Sequence, residues 1–264
     1  AYAFRRVRGE ENVEMIDLHT HILPAIDDGA ENKEVAAGQM QCLWEQGVHS
    51  VVFTPHYYGR KRSPIQFMEA RAAAFDSIKD CIPEGMEVFL GAEVHFAAQM
   101  AASDESVCSM AIGDTRYLLI ELPFTTAWDS ALWNRLRDFI ADTEYVPVVA
   151  HVERYSEVRR KPSLLAALSD LGCLLQMNTD AFTGEEKGFA FSALRRGYVD
   201  CLGTDTHNME ERAPRYAEAR AAIEEAGFSE RFGRIQENMR LILEDKPVRP
   251  EREKPVKKFF GRYY

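Results

Sequence analysis

Two histidines one residue apart, His19 and His21, follow a short apolar run in "MIDLHTHILPAIDDG" (residues 15–29), and Asp27, Asp28 and Gly29 come soon after. On extended backbone, side chains two positions apart point the same way, so both imidazoles can enter one site. Neither a core strand nor a solvent loop needs such a pair. Partners recur along the chain, each just past an apolar run. They are His56 in "FTPHYY", Glu93 in "GAEVHF", Glu121 in "LLIELPF", and His151 with Glu153 and Arg154 in "VAHVERY". Asn178 and Asp180 in "QMNTDAF" and Asp205 and His207 in "GTDTHNM" complete the series. Buried without compensation, such a cluster would be costly. Imidazole and carboxylate without thiolate suit manganese, iron or zinc in a catalytic rather than a structural site, and the donors outnumber what one ion can use. The expectation is two or three divalent ions sharing bridging carboxylates. Single histidines such as His49 and His95 are more often surface or satisfied core residues and are left out of the set.

The elements that must position these residues are legible as alternation. Compact apolar runs at 14–18, 49–54, 87–91, 117–121, 146–150, 173–177 and 199–203 read as parallel strands covered on both faces. Helices fit between them. The segment 31–46 carries Val35, Met40, Leu43 and Trp44 on one side and stops at Gly47. Ser63-Pro64-Ile65-Gln66 is a capping box that opens a helix through about Cys81. Further helices are expected near 128–143, 163–171, 186–196, 213–226 and 229–244, the last with Phe232, Ile235, Met239 and Ile242 in register. Seven βα units mean a parallel sheet. With no G-x-G-x-x-G turn after the first strand, a distorted (β/α)7 barrel is expected rather than an open doubly wound sheet. Barrel active sites lie at the C-terminal ends of the strands, which is where the candidate ligands fall.

Bulk composition narrows the function. The chain has 264 residues, is 46% hydrophobic and carries a net charge of −10, enough for one sizeable core and contrary to the basic surface of a general nucleic-acid binder. Five dispersed cysteines without a C-x-x-C pair suggest a reducing compartment. With no membrane-length apolar run and no signal-peptide core, the protein is expected to be cytoplasmic and not membrane-inserted. Met15 would make a natural start, so residues 1–14 are expected to be an added N-terminal extension, ahead of one barrel domain over 15–244. A cysteine-dependent tyrosine phosphatase is excluded, because it needs an arginine six residues past its nucleophile. That position after the five cysteines holds Val48, Glu87, Asp114, Thr179 and His207.

The motif series resembles the PHP (polymerase and histidinol phosphatase) superfamily: H-x-H after the first strand, His after the second, Glu after the third, H-x-x-R after the fifth and D-x-H after the last. Within it, "MIDLHTHILPAIDDGA", "GAEVHF", "LIELPF", "AHVERY" and "GTDTHN" are most similar to the bacterial manganese-dependent protein-tyrosine phosphatases of capsule and exopolysaccharide operons, over about residues 15–243. The resemblance implies a trinuclear centre, most simply of Mn2+ with Fe or Zn as alternatives, with ligands His19, His21, Asp28, His56, Glu93, Glu121, His151, Asp205 and His207. It also implies that Arg154 and Arg212 hold phosphate. Thr204 departs from the family, standing where relatives often have serine, and the 57–62 loop "YYGRKR" is richer in tyrosine than expected.

Clustered divalent ions lower the pKa of bound water and template a phosphoryl group. The expected reaction is therefore direct hydroxide attack on a phosphomonoester without a phosphoenzyme, with the arginines stabilising developing charge. The substrate implied is a phosphotyrosine protein, in particular the tail of a bacterial tyrosine kinase, with Tyr57, Arg60 and Arg62 (beside Tyr58 and Lys61) as candidate substrate-binding residues. The rivals are hydrolysis of histidinol phosphate or another small phosphomonoester, and a non-catalytic regulatory metal-binding module. The tail "DKPVRPEREKPVKKFFGRYY" (245–264) holds seven basic and three acidic residues. It reads by default as a flexible appendage. The competing expectation is docking on the acidic body, reaching the rim near Tyr57–Arg62.

Overall fold

The structure, a computed structural model, describes residues 14–96 and 109–264. The expected N-terminal extension therefore lies almost wholly outside the described residues, as does Cys108. The strands in chain order are β1 (Met15–Thr20), β2 (Val48–Phe53) and its continuation β3 (His56–Tyr57) beyond Thr54 and Pro55. Next come β4 (Glu87–Leu90) and its continuation β5 (Glu93–His95) beyond Gly91 and Ala92. β6 (Tyr117–Glu121), β7 (Val146–Val149), β8 (Leu174–Asn178) and β9 (Cys201–Gly203) follow. All pair in parallel, as β1-β2-β4 and as β3-β5-β6-β7-β8-β9. Among the described residues, counting each broken strand once gives the seven expected.

Pro55 brings no N–H to the ladder, yet the sheet is stitched across the breaks: Gly91 N donates to Phe53 O at 2.9 Å and Glu93 N to Pro55 O at 3.0 Å. β9 returns to β1 through a parallel bridge between Thr20 and Thr206, with Asp205 N donating to His19 O at 2.8 Å and His21 N to Thr206 O at 3.0 Å. The distorted (β/α)7 barrel is thus closed by the backbone of the residues expected to bind metal.

Helices cover the barrel: α1 (Lys33–Glu45), α2 (Pro64–Ile78), α3 (Ser130–Asp142), α4 (Ser156–Arg160), α5 (Leu164–Asp170), α6 (Lys187–Arg195), α7 (Tyr216–Glu225) and α8 (Ser229–Leu243). The Ser63 capping box forms, and α1 stops before Gly47 at φ +87°. The buried face of α8 includes Phe232, Ile235, Met239 and Ile242, as its periodicity predicts, whereas on α1 the buried set is Ala36, Gln39, Met40 and Leu43, with Val35 and Trp44 only partly covered. The helix opened at Pro64 ends at Ile78 and passes into a 3₁₀ turn at Lys79–Cys81. The short α4 is an addition that periodicity did not predict.

The tail is packed, and the flexible-appendage expectation is corrected. Tyr117 Oη donates to Lys246 O at 2.6 Å, and Arg252 pairs with buried Asp200 at 2.7 Å. Val256 is buried, and the chain ends in a hairpin of β10 (Lys258–Phe259) and β11 (Arg262–Tyr263). The docking site also differs from the one expected. Tyr263 packs edge-on against Phe189 of α6 and donates to Arg159 O of α4, on helices following β8 and β7, whereas the 57–62 loop follows β3.

Candidate metal centre

β1 and the residue just past it deliver two imidazoles whose Nδ1 atoms each face an acceptor. His19 Nδ1 lies 3.1 Å from Gln176 Oε1, and His21 Nδ1 lies 2.7 Å from Asp27 Oδ2. Each acceptor draws the Nδ1 proton and turns Nε2 toward the cluster, where it becomes a lone-pair donor once its own proton is released. The two Nε2 atoms are only 3.1 Å apart, both fully buried. Around them stand Glu93 Oε2, 3.3 Å from each, and Asp205 Oδ1 at 3.5 and 3.4 Å.

Glu93 is the hub. Its Oε2 lies 2.9 Å from His56 Nδ1 and its Oε1 2.7 Å from His151 Nε2. Glu121 Oε1 is 3.6 Å from His151 Nε2. On the outer side Asp28 Oδ1 reaches His56 Nε2 at 3.5 Å and His207 Nε2 at 3.6 Å. All nine expected ligands therefore meet in one place. Seven of them form three groups in which one ligand atom from each residue lies within 4.8 Å of the others: His21, Asp28, His56 and His207; His19, His21 and Glu93; His56, Glu93 and Glu121. His21, His56 and Glu93 each belong to two groups, so the three groups form one continuous cluster, and of the shared residues Glu93 alone has two oxygens with which to bridge.

Divalent ions fit this set. Glu93 Oε2, His56 Nδ1 and His207 Nε2 are buried and, despite the close approach of the first two, none takes part in a well-directed hydrogen bond, a state that is costly unless a cation answers it. Hard carboxylate oxygens and imidazole nitrogens are the donors manganese, iron and zinc accept. The backbone is also strained here: His151 has φ +33° and Asp205 φ +52°, a region non-glycine residues adopt at a cost and keep at functional sites.

Protonation follows the charge balance. Burial works against a charged His21, but Asp27, Glu93 and Asp205 raise its pKa to about 10. Burial would raise Glu93, but His19, His56 and His151 hold it well below the carboxylate range, and Asp205 is held low in the same way by His19, His21, His151 and Arg212. Burial works against a charged His19 as well, but Glu93 and Asp205 raise its pKa.

Arg154 and Arg212 converge on one oxygen. Asp205 Oδ2 accepts from Arg154 at 2.9 Å and from Arg212 at 2.6 Å. Arg154, Arg212, Asn178, Asp180 and Asp205 line a cavity of about 270 Å³ that opens beside the ligand cluster. Of the substrate-loop residues, Arg60 and Arg62 are exposed after β3. Tyr57 is not on the rim: it is 4% exposed and packs against Phe67. Tyr58 faces the site instead, its ring 5.1 Å from His56 and 5.4 Å from His95. Burial and the surrounding carboxylates push the Tyr58 hydroxyl well up, so it stays protonated.

His95, Gln176 and Asp17 escaped the sequence reading, and Asp27 and Asn178, noted there at strand ends, gain their roles here. His95 belongs to the site, its Nδ1 3.0 Å from Glu121 Oε2. Asp27 and Gln176 orient His21 and His19, and Gln176 Oε1 also accepts from His151 N at 2.7 Å. Asn178 links Gln176 to Asp205 with contacts of 3.0 and 2.9 Å. Asp17, whose pKa burial raises to about 6, accepts from Thr204 Oγ1 at 2.6 Å. That contact explains why threonine serves in place of serine: the hydroxyl is what Asp17 needs. Cys173 and Cys201 are not poised as nucleophiles, since burial pushes the Cys173 thiol up to about 12 and the Cys201 thiol well above its usual range.

Comparison with known proteins agrees with this geometry. The chain is 30% identical over 256 residues to the tyrosine-protein phosphatase YwqE of Bacillus subtilis (strain 168), covering 94% of this chain and 99% of that one. It is 28% identical over 216 residues to the tyrosine-protein phosphatase CpsB of Streptococcus pneumoniae, covering 76% and 86%. Crystal structures of YwqE and CpsB, described as metal-dependent tyrosine phosphatases, include a chain that matches with a TM-score of 0.80 at 28% identity, over 92% of this chain and 100% of that one. A β-aspartyl dipeptidase from Fervidobacterium islandicum, at 12% identity, 92% and 79% coverage and a TM-score of 0.51, shares the fold alone. The description "Capsular polysaccharide synthesis, CpsB/CapC" matches residues 15–243, and the chain belongs to that family.

Proposed function

We propose that this protein is a metal-dependent phosphotyrosine-protein phosphatase acting in the cytoplasm on the tyrosine-rich tail of a kinase that controls capsular polysaccharide synthesis. The observation that carries the reading is the shared set of His21, His56 and Glu93 among three ligand groups, with two arginines at its edge. His19, His21, Asp28, His56, Glu93, Glu121, His151, Asp205 and His207 would hold two or three divalent ions, Mn2+ in the first instance. Such ions supply an activated water near neutral pH and counter phosphoryl charge.

The chain's own groups do the rest. Arg154 and Arg212, each planar and permanently charged, pin the phosphoryl oxygens over the cavity beside Asp205 and neutralise charge as the ester bond breaks. Asp205 keeps both guanidiniums aimed there. Asp27 and Gln176 hold the ligand imidazoles in the Nδ1–H tautomer. Lys61, its Nζ 4.6 Å from the Tyr58 ring, stands with Arg60 and Arg62 on a basic loop suited to an acidic, phosphorylated segment.

The test is turnover of a phosphotyrosyl peptide beside histidinol phosphate, before and after chelation, with manganese returned and bound metal counted by mass spectrometry. The proposal expects at least two ions, activity that follows them, and preference for the peptide. Greater efficiency on histidinol phosphate would replace the substrate, and bound metal without turnover of either would make the chain a regulatory module.

A further inference from the structure

Two aromatic side chains border the ligand cluster without contributing a ligand atom. Phe124 follows β6 in the "ELPF" stretch and remains 39% exposed, although its ring stacks on His151 at 5.4 Å and 26°. Its loop is fixed: Leu122 N donates to Tyr155 Oη at 2.8 Å, and Trp128 Nε1 to Pro123 O at 3.1 Å. The Arg154 guanidinium lies 5.4 Å from the Phe124 centroid. Tyr58 stands on the other flank, half-exposed against His56 and His95. The two rings are joined through one carboxylate, because His56 and His151 sit on the two oxygens of Glu93.

A site that needed only phosphate would surround its cations with polar groups. Keeping a large apolar ring exposed beside buried charge has a physical use when a ligand covers it. Aromatic rings recognise one another by offset or edge contacts that an alkyl chain cannot make. Both rings lie against histidines of the cluster, which places them where a ring joined directly to the phosphoester oxygen would be received.

We infer that Phe124 and Tyr58 are aromatic walls that receive the ring of an aryl phosphate, which makes them determinants of selectivity for phosphotyrosine over alkyl phosphates. The inference rests on the phosphatase reading above. Phe124 also touches the arginine assigned to phosphate, so seating of the ring and of the phosphoryl group is coupled through Arg154.

The experiment compares phenyl phosphate with glycerol phosphate on the manganese-loaded holoenzyme and on Phe124→Leu, Tyr58→Leu and Tyr58→Phe. Leucine keeps apolar cover on the neighbouring histidine while removing the ring. Each leucine variant is expected to lower kcat/KM for phenyl phosphate about tenfold relative to glycerol phosphate, mainly through KM, while Tyr58→Phe keeps the parent's ratio between the two esters. Calorimetric binding of phenylphosphonate against methylphosphonate should show the same change of ratio without any turnover. An equal fall for both substrates, or loss of bound metal, means the rings only support His151 and His56 and overturns the inference. Unchanged ratios in an active enzyme overturn it while leaving the phosphatase reading standing. A parent enzyme that hydrolyses neither ester overturns both.

Discussion

Asp27 shares no oxygen with the ligand groups, yet three donors point at it: His21 Nδ1 at 2.7 Å and His56 N at 2.8 Å reach Oδ2, and Gly29 N reaches Oδ1 at 2.9 Å. Replacing it with asparagine preserves shape but leaves one accepting oxygen for these donors. With the amide oxygen in place of Oδ2, the new NH2 faces Gly29 N–H, and one buried hydrogen bond becomes a donor–donor contact costing about 1–3 kcal/mol. In the other orientation His21 loses the acceptor that fixes its tautomer, and Nε2 no longer stands reliably unprotonated toward the cluster. Loss of such an outer partner typically weakens metal affinity about 10–100-fold, or about 1.4–2.7 kcal/mol. Asp27→Asn should therefore show a raised Kd for Mn2+ in competition with a chromophoric chelator, while kcat at saturating metal changes only a few-fold. Unchanged metal affinity would refute the orienting role. A collapse of kcat with affinity intact would place Asp27 in the chemistry itself.

Arg154→Ala should lower kcat by about a hundredfold with metal content retained, since Arg212 still pairs with Asp205; loss of metal would make Arg154 structural. Metal uptake should release protons, because His21, raised to about 10, is protonated at neutral pH and must lose that proton to become a ligand. Affinity should then rise with pH up to about that value, and calorimetry in buffers of different ionisation enthalpy should report proton release; a count of zero contradicts the assignment. Arg252→Ala leaves Asp200 buried beside Leu175 N without its cation, at a cost of about 3 kcal/mol. Thermal unfolding should fall by roughly 6–12 °C with activity on a phosphotyrosyl peptide retained, and a lowered KM would instead revive a tail that screens the site.

What the sequence made legible is what is local. A ligand just past an apolar run is visible because strand and ligand are neighbours in the chain, and the barrel then does the convergence. Asp27 apart, the groups that hold those ligands are not local: His19 meets Gln176 across 157 positions and Thr204 meets Asp17 across 187. Their trace in sequence is a polar residue inside an apolar run, Asp17 in "MIDL" and Gln176 in "LLQM". Buried polar groups must be answered, so each of these residues announced a partner without naming it. The packed tail was illegible for the opposite reason. Prolines and charge exclude a helix but say nothing of Arg252 finding Asp200 or of Val256 finding cover.

Two misplacements share one physical cause. Alternation along extended backbone put His19 and His21 on one face, and it applies equally after the second and third strands. From His56, the residue on the same face is Tyr58, and Tyr57 must turn away, which is why Tyr57 packs on Phe67 while Tyr58 lies beside the histidines. From Glu93, the residue on the same face is His95, which reaches Glu121. The strand breaks after Phe53 and Leu90 do not disturb this rule, because β3 and β5 pair with each other in register, His56 opposite Glu93. That register has a consequence for substitution. A one-residue insertion between Thr54 and His56 would exchange the faces of His56 and Tyr57, sending a ligand into the core and a core ring into the cluster. Such a variant should lose metal binding and thermal stability together, whereas Tyr57→Phe, which keeps the ring against Phe67, should leave bound metal unchanged. Metal loss in Tyr57→Phe would show that the hydroxyl serves the centre and that alternation alone does not explain this strand.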